Sequence, residues 1–243
     1  MINTYNESKL HKQLKTLYAE NFFGETEVEL DGRIYDIVCE DGTIIEIQTK
    51  NLTKLLSKIL NTLDTGRKVI LVHPVVIRKW ILTKDKNGNT LSNRKSPKVN
   101  SIYDMFDELT GVFPALLHKN FRLDIIEINM TEIREKTEIP VQSPNSRRRF
   151  KKDWIKTGKE LKEIISIKTF SSAYDYLKLL PTSLPSEFCA KDLYTELKKD
   201  KTLPASAAKK AHLILWVFVR MNLIEECCVK NRNRYYKINP SFL

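Results

Sequence analysis

The stretch that decides the fold is Arg33–Lys50, RIYDIVCEDGTIIEIQTK. It predicts two β-strands, because Ile34–Val38 and Thr43–Ile47 are rich in β-branched and aromatic residues. The turn between them contains Asp41-Gly42, a pair that tolerates the positive φ angle of a tight hairpin. The stretch therefore predicts a β-hairpin.

Acidic side chains occupy both strands of this hairpin. Asp36 stands among apolar neighbours, where an idle buried carboxylate would be costly. In the second strand, side-chain alternation puts Glu46, Gln48 and Lys50 on one face. An acid on one strand that faces an acid-x-polar series on the next is how a sheet builds a divalent-cation site for phosphodiester cleavage. The pattern therefore predicts Asp36 and Glu46 as ligands of Mg²⁺ or Mn²⁺.

The residues around this acid pair have alternative interpretations. Gln48 either orients the attacking water or hydrogen-bonds the neighbouring strand. Lys50 is either a second candidate for the catalytic polar group or a solvated residue at the strand end. Glu27, in the preceding strand, is the choice for a third metal carboxylate, with Glu20 as the alternative, although exposed strand acids are common. His73 is expected to be a satisfied histidine of the core or of a strand end.

The segments around the hairpin predict a six-element order. Leucines at helical spacing indicate a first helix, and a short strand precedes the hairpin. An amphipathic helix that Gly66 stops and a buried apolar strand follow it. The predicted segments are Ser8–Glu20, Thr26–Leu30, Asn51–Leu63 and Lys68–His73. The resulting order is α-β-β-β-α-β, and its last strand–helix–strand step favours a parallel pair.

The acids and the element order together resemble the PD-(D/E)XK nuclease superfamily, the restriction-endonuclease-like fold. The superfamily pattern is an acid, a gap and then (D/E)-x-K. Asp36 and Glu46-Ile47-Gln48 match it as the Glu-x-Gln version that occurs among restriction enzymes. The shifted register Gln48-Thr49-Lys50 resembles the strand-cleaving endonuclease subunit of heteromeric transposases. The resemblance implies an α/β fold with a central mixed sheet flanked by helices, and DNA cleavage that depends on Mg²⁺ or Mn²⁺.

In some members of this superfamily the catalytic lysine lies on the helix after the motif. Lys54 and Lys58 stand on that helix here. A solvated helix face is the preferred interpretation for both.

The middle of the chain is predicted to extend the core and then to leave it. A hairpin around Asn87-Gly88, a short helix and a further strand come first. Their segments are Val75–Thr83, Thr90–Lys98, Ile102–Leu109 and Phe121–Ile128. A linker, Pro140–Asn145, then leads into a basic run, and Trp154–Ile167 is predicted to be a bridging helix. The run includes Arg147, Arg148 and Arg149, which form either a solvated linker or a phosphate-tracking segment.

The C-terminal segment is predicted to contain three helices followed by a hairpin, an order that resembles a winged helix-turn-helix domain. The helices are Ser172–Leu180, Ala190–Lys199 and Ala205–Met221, and the strands are Leu223–Val229 and Arg234–Ile238. Such domains usually place the third helix in the major groove and the wing on the backbone. The predicted DNA contacts are Lys209 and Lys210 on that helix and Lys230, Arg232 and Arg234 on the wing.

Composition is compatible with this interpretation without deciding it. Apolar residues make up 42% and charged residues 29% of the 243 residues, as in soluble globular proteins. No stretch has the length of a membrane span and no signal core begins the chain, which predicts a cytoplasmic protein. The net charge of +11 favours a polyanionic partner, although a composition rich in Lys, Ile and Asn is also expected from an AT-rich genome. The four cysteines, Cys39, Cys189, Cys227 and Cys228, lack zinc-ligand spacing.

Three regions are therefore predicted: a nuclease-like domain over 1–138, a basic linker and bridging helix over 139–168, and a winged helix over 169–243. The predicted function is a metal-dependent DNA endonuclease that the winged helix delivers to duplex DNA. Cleavage of both strands would need a homodimer or a partner nuclease or transposase subunit. The alternative is a DNA-binding regulator with an inactive nuclease-like core, which the missing motif lysine favours. An RNA nuclease is the weaker third interpretation, because no RNA-module signature is present.

Overall fold

The computed structural model describes residues 8–143, 146 and 148–242. The helices are α1 (Lys9–Asn21), α2 (Leu56–Asp64), α3 (Phe106–Leu109), α4 (Ala173–Leu177), α5 (Ala190–Lys199), α6 (Ala205–Ala208) and α7 (Ala211–Arg220). The strands are β1 (Gly24–Leu30), β2 (Arg33–Cys39), β3 (Ile44–Ile47), β4 (Val69–Lys84), β5 (Thr90–Val99), β6 (Phe121–Val141), β7 (Lys152–Phe170), β8 (Phe188–Cys189), β9 (Ile224–Lys230) and β10 (Asn233–Ile238). Among these helices, none combines the length and the apolar composition that crossing a membrane requires.

A seven-stranded mixed sheet forms the centre of the molecule. Its order is β1-β2-β3-β4-β6-β7, and β5 pairs with β4 beside this path. The predicted α-β-β-β-α-β order is confirmed, and β3 runs parallel to β4, from Ile44 opposite Val69 to Ile47 opposite Val72. The turns agree with their sequence signals, because Gly32 and Gly42 both adopt positive φ angles.

The sheet is covered on both faces. Helix α1 packs Leu10, Leu14 and Tyr18 on one face, in a cluster that includes Ile45 and Ile47. The other face carries α2, the segment around α3 and the C-terminal helices. Because β3 is buried on both sides, an acid within it must be satisfied by groups of the protein or of a ligand.

The long strands continue past the site in a segment that we call the strand extension, residues 78–84, 90–99, 129–141 and 152–163. In its first half β4 pairs with β3, and from Arg78 onward it pairs with β5 on the same side. Strand β6 runs parallel to β4 through both halves, and β7 runs antiparallel to β6. The predicted hairpin is confirmed, with Asp85 accepting the backbone N–H groups of Asn87 and Asn89.

The predicted bridging helix Trp154–Ile167 is wrong. This segment is β7, which pairs with β6 from Phe170 opposite Leu123 to Lys152 opposite Val141. Register shifts interrupt the ladder at several points, so apolar residues do not alternate regularly along the strand. Long-range pairing overrides local helix propensity here, and the predicted boundary at residue 138 falls inside β6.

The C-terminal segment forms a compact unit against the core. The predicted third helix is broken, because α6 ends at Ala208 and α7 begins at Ala211. A small sheet of order β8-β10-β9 follows the helices. The unit packs on the core through aromatic pairs, Phe106 with Phe218 and Phe113 with Trp216, each with ring centroids 5.6 Å apart.

Candidate functional site

The predicted acids lie where β2 and β3 separate. The strand ladder pairs Ile37 with Ile45 and Val38 with Ile44. Beyond these pairs, the acidic side chains accept hydrogen bonds from the backbone of the opposite strand. The N–H of Ile47 donates to Oδ2 of Asp36 at 2.8 Å, and the N–H of Asp36 donates to Oε1 of Glu46 at 3.3 Å. Each carboxylate thus satisfies the backbone of the opposite strand, and the two acids are brought together between the strands.

Burial and hydrogen bonding move the two acids in opposite directions. Burial, and then the neighbouring Asp36, raise the pKa of Glu46 to about 7, although Lys58 acts against this rise. Burial opposes ionisation of Asp36 too, but the hydrogen bonds from His11 and the N–H of Ile47 prevail and lower its pKa. The pair therefore holds one carboxylate firmly ionised beside one that binds a proton near neutrality.

Lys58 joins this site from α2. Its Nζ lies 2.5 Å from Oε1 of Glu46 and 2.6 Å from the carbonyl oxygen of Ile34. The ammonium also lies 4.6 Å from the ring centroid of Tyr35. The prediction of a solvated face is therefore wrong for Lys58, whereas Lys54 is exposed. Both lysines satisfy the same helical spacing, and only the packing of α2 against β2 and β3 distinguishes them.

His11 is a site residue that sequence reasoning missed. Its Nε2 lies 2.6 Å from the carbonyl oxygen of Ile47 and 3.5 Å from Oδ2 of Asp36. Because a carbonyl oxygen only accepts, Nε2 is the protonated ring nitrogen in this arrangement. The apolar stripe of α1 was visible in the sequence, but nothing local showed that the adjacent histidine would face β3.

The predicted third carboxylate is held by α1. Glu27 forms a short ion pair with Lys15, and it stands at a backbone position with a φ of 58°. In the part of the chain that the structure describes, the ligand atoms of Glu27, Asp36 and Glu46 do not all lie within 4.8 Å of one another. Glu20, the alternative, is exposed near the end of α1. The described side chains thus place two carboxylates at this point, and the role predicted for Glu27 has no geometric support.

Gln48 and Lys50 follow the acids past the end of β3. The backbone of Gln48 continues the strand, since its N–H donates to Val72 and its carbonyl accepts from Nδ1 of His73 at 2.7 Å. The side-chain amide of Gln48 makes a long contact of 3.5 Å to the carbonyl of Asn51, and Lys50 is exposed. His73 is buried, and burial lowers its pKa, as expected for a satisfied core histidine.

The residues predicted to contact DNA are spread over two separate parts of the molecule. Arg147 lies outside the described residues. Arg148 contacts Trp154: its guanidinium lies 3.9 Å from the ring centroid and donates to the backbone carbonyl of the same residue. Arg149 lies over Phe150. The basic run therefore ends against the strand extension.

In the C-terminal unit, acids neutralise three of the five predicted DNA contacts. Lys210 pairs with Asp107 and Asp104 of the core. On the wing, Lys230 pairs with Glu187 and Arg234 with Glu226. The other two, Lys209 and Arg232, are exposed.

Comparison with known proteins defines the family. The model of a domain of unknown function (DUF8091) matches residues 8–171. The chain belongs to this family. A protein of Treponema pallidum (strain Nichols), described as an uncharacterized protein, is 34% identical over 192 residues, which cover 79% of this chain and 73% of the relative. No solved structure matches the chain. The family match spans the whole central sheet and ends just after β7.

Proposed function

We propose that this protein is a metal-dependent DNA endonuclease whose reaction takes place at Asp36 and Glu46. One observation carries the proposal: two carboxylates are held between diverging strands and bonded to each other's backbone, and a lysine contacts one of them. A purely structural acid pair would be expensive, because a buried and a half-buried carboxylate repel each other and lose hydration. An arrangement of this kind is retained more readily when a cation uses it.

The donors fit a hard divalent cation. Asp36 and Glu46 offer carboxylate oxygens, which Mg²⁺ and Mn²⁺ prefer. Burial and the neighbouring Asp36 raise the pKa of Glu46, and a bound cation would favour its ionised form. A bound Mg²⁺ would act as a Lewis acid that stabilises the charge developing on the scissile phosphate.

Residues of this chain would supply the remaining chemistry. Lys58 carries the positive charge that Gln48 cannot carry, and its ammonium can donate to a phosphate oxygen at the edge of the site. Gln48 and Lys50 stand at the end of the strand that carries Glu46, where either can orient a nucleophile. His11 keeps Asp36 ionised, and this holds a permanent negative charge in the site.

The C-terminal unit would act as a winged helix that binds duplex DNA. Its helices, followed by the β9–β10 hairpin, have the element order of such a domain. Exposed Lys209 and Arg232 are the described bases best placed for that role. Cleavage of both strands would require a second copy of the chain or a partner nuclease.

Cleavage of supercoiled plasmid with Mg²⁺ or Mn²⁺ tests the proposal. Wild type is compared with Asp36→Asn and Glu46→Gln, and Glu40→Gln serves as the control, because Glu40 is an exposed acid in the same hairpin. We expect metal-dependent nicking or linearisation by wild type and by the control, and none by the two site variants. Equal cleavage by all four proteins would remove the site from the reaction.

A DNA-binding regulator with an inactive core is the second candidate. The ion pair between Lys58 and Glu46 favours it, because a lysine can neutralise a carboxylate in place of a metal. The absence of lysine at Gln48 points the same way. Tight duplex binding without cleavage by wild type, with either metal, would favour this candidate over the nuclease.

A further inference from the structure

The strand extension carries a second buried carboxylate, in surroundings opposite to those of Glu46. Glu132, on β6, is 5% exposed. It accepts from Lys156 at 2.8 Å, from Arg134 at 2.6 Å and from Lys79 at 3.2 Å. Three cations from three adjacent strands thus converge on one acid.

Two more lysines complete what we call the lysine cluster: Lys159 beside Glu132, and Lys50 close enough to act on the charge of Lys159. The lysine cluster is Lys50, Lys79, Arg134, Lys156 and Lys159. Lys159 stands directly across the ladder from Glu132. Burial, and then the charges of Lys156 and Lys50, lower the pKa of Lys159 to about 8. Five cations against one carboxylate leave a strong local excess of positive charge, which a bound anion would neutralise.

The lysine cluster lies beside the acid pair. Lys50 follows β3 four residues after Glu46. The first turns of α1 connect both places, since Lys9 pairs with Glu160 next to Lys159, and His11 bonds to the carbonyl of Ile47. A chain of phosphates held by the lysine cluster would therefore pass close to Asp36 and Glu46.

We propose that the lysine cluster is the main contact surface for the phosphate backbone of DNA, and that the C-terminal wing contributes the smaller part of the binding. The proposal rests on the proposed nuclease function for the identity of the polyanion. It is favoured by charge balance: acids already neutralise Lys210, Lys230 and Arg234 in the C-terminal unit, whereas the lysine cluster has more cations than its carboxylate can balance. Lysines suit this role because they bind phosphates as point charges without reading sequence.

Duplex DNA binding in EDTA, followed by fluorescence anisotropy over a range of salt, tests this surface. Omitting divalent metal separates binding from cleavage, so an inactive enzyme that still binds DNA would count against the nuclease and not against this surface. The variants are Lys50→Gln with Lys159→Gln, and Arg232→Gln with Arg234→Gln. Lys162→Gln is the control on the same strand, because its ammonium lies 3.6 Å from the ring centroid of Trp80. Thermal unfolding verifies that each variant is folded.

We expect the lysine-cluster double variant to lose affinity at least about tenfold and to reduce the salt slope by about 2. The control is expected to stay within about twofold of wild type, and the wing double variant is expected to lose less affinity than the lysine-cluster variant. Loss of binding in the wing variant alone would overturn the proposal. Competition by inorganic phosphate beyond that of chloride at equal ionic strength would also overturn it, since the cluster would then be a small-anion site. Tighter binding of an RNA duplex would exclude DNA as the partner.

A different observation concerns the paired cysteines of β9. The β9–β10 ladder shifts between Tyr235, opposite Cys228, and Tyr236, opposite Glu226, so Cys227 has no partner in the register. This bulge brings two consecutive thiols together, with Sγ atoms 3.9 Å apart. The carboxylate of Glu187 completes a group whose ligand atoms lie within 4.8 Å of one another.

We infer that Cys227, Cys228 and Glu187 bind a thiophilic divalent cation such as Zn²⁺. Zn–S bonds of about 2.3 Å in a tetrahedral site put two sulfurs about 3.8 Å apart, close to the separation seen here. The cysteines lack zinc-ligand spacing in the sequence, but the bulge places Cys227 and Cys228 at the separation that zinc requires. The carboxylate of Glu187 would exchange its ion pair with Lys230 for the metal.

Zn²⁺ competition against a chromogenic chelator, under reducing conditions, tests this site. We expect one Zn²⁺ to bind to wild type, and at least about a hundredfold loss of affinity in Cys227→Ser and in Cys228→Ser. Glu225→Gln, the neighbouring acid on β9 that pairs with Lys237, is the control and should bind like wild type. Co²⁺ should show the two-thiolate charge-transfer absorption in wild type and in the control, and should lose it in the two cysteine variants. Equal Zn²⁺ binding by the cysteine variants would overturn the inference.

Discussion

Glu46 and Glu132 are two buried glutamates of one sheet, and they differ in almost everything except burial. Glu46 is 4% exposed and Glu132 is 5% exposed. Burial opposes ionisation of both, yet the pKa of Glu46 rises to about 7 and that of Glu132 falls to about 2. Hydrogen bonds from Lys156 and Arg134, with the charges of Lys156 and Lys79, reverse the effect of burial at Glu132. At Glu46, one lysine cannot do so beside a second carboxylate.

Because both glutamates are buried, their charged neighbours are what distinguishes the two sites. The surroundings of Glu46 contain a second carboxylate and one lysine, a set that suits a metal cation. Those of Glu132 have an excess of positive charge, which suits an anion. Two neighbouring sites of opposite imbalance are what an enzyme for a metal-assisted reaction on a polyanion needs.

The largest effect is expected from removing the charge of Glu132. Glu132→Gln leaves Lys79, Arg134 and Lys156 without their counter-ion and should cost about 3 kcal/mol of the free energy of unfolding. Urea denaturation at pH 7 measures this loss. The matched variant Glu138→Gln, which breaks an exposed ion pair with Lys86, should leave stability unchanged. Equal stability of both variants would mean that Glu132 does not organise the lysine cluster.

Glu132 also predicts how the stability of the protein depends on pH. The pKa of Glu132 lies below its ordinary value of 4.5, so its contribution to stability is full above about pH 4.5 and is lost as pH falls towards about 2. The difference in free energy of unfolding between wild type and Glu132→Gln should therefore become smaller as pH falls from about 4.5 to about 2.

A smaller effect is expected from Lys58, measured as the rate of plasmid cleavage. If Lys58 supplies the charge that Gln48 lacks, Lys58→Gln should slow cleavage by about a hundredfold at saturating DNA. Lys54→Gln, on an exposed position of the turn that leads into α2, should cleave like wild type. A Lys58→Gln enzyme with unchanged rate would restrict Lys58 to a structural role.

The smallest effect is a pH dependence of stability in the absence of divalent metal. Because the folded protein binds a proton at Glu46 more tightly than the unfolded chain does, stability should fall as pH rises from about 4.5 to about 7. The loss should be on the order of 2 kcal/mol. This loss of stability should be absent in Glu46→Gln. In wild type, added Mg²⁺ should restore the stability that is lost at pH 7. Parallel stability curves for the two proteins would contradict the raised pKa.

The sequence was sufficient where the signal is local. Alternation and the Asp-Gly turn predicted the Arg33–Lys50 hairpin, and helical spacing predicted α1 and α2. It failed at β7, where bulges break the alternation and pairing with β6 determines the structure. Lys58, His11 and the lysine cluster were missed for a related reason. Their roles depend on which distant strands and helices meet, and residue spacing within one element does not contain that information.

Direct measurement of Mn²⁺ binding, by isothermal titration or by the paramagnetic resonance signal of the free ion, tests the central claim that Asp36 and Glu46 bind a divalent cation. The proteins compared are wild type, Asp36→Asn, Glu46→Gln and the hairpin control Glu40→Gln. Saturable binding by wild type and the control, and its loss in both site variants, is the predicted result. Equal binding by all four proteins, or no binding by folded wild type, would contradict the account.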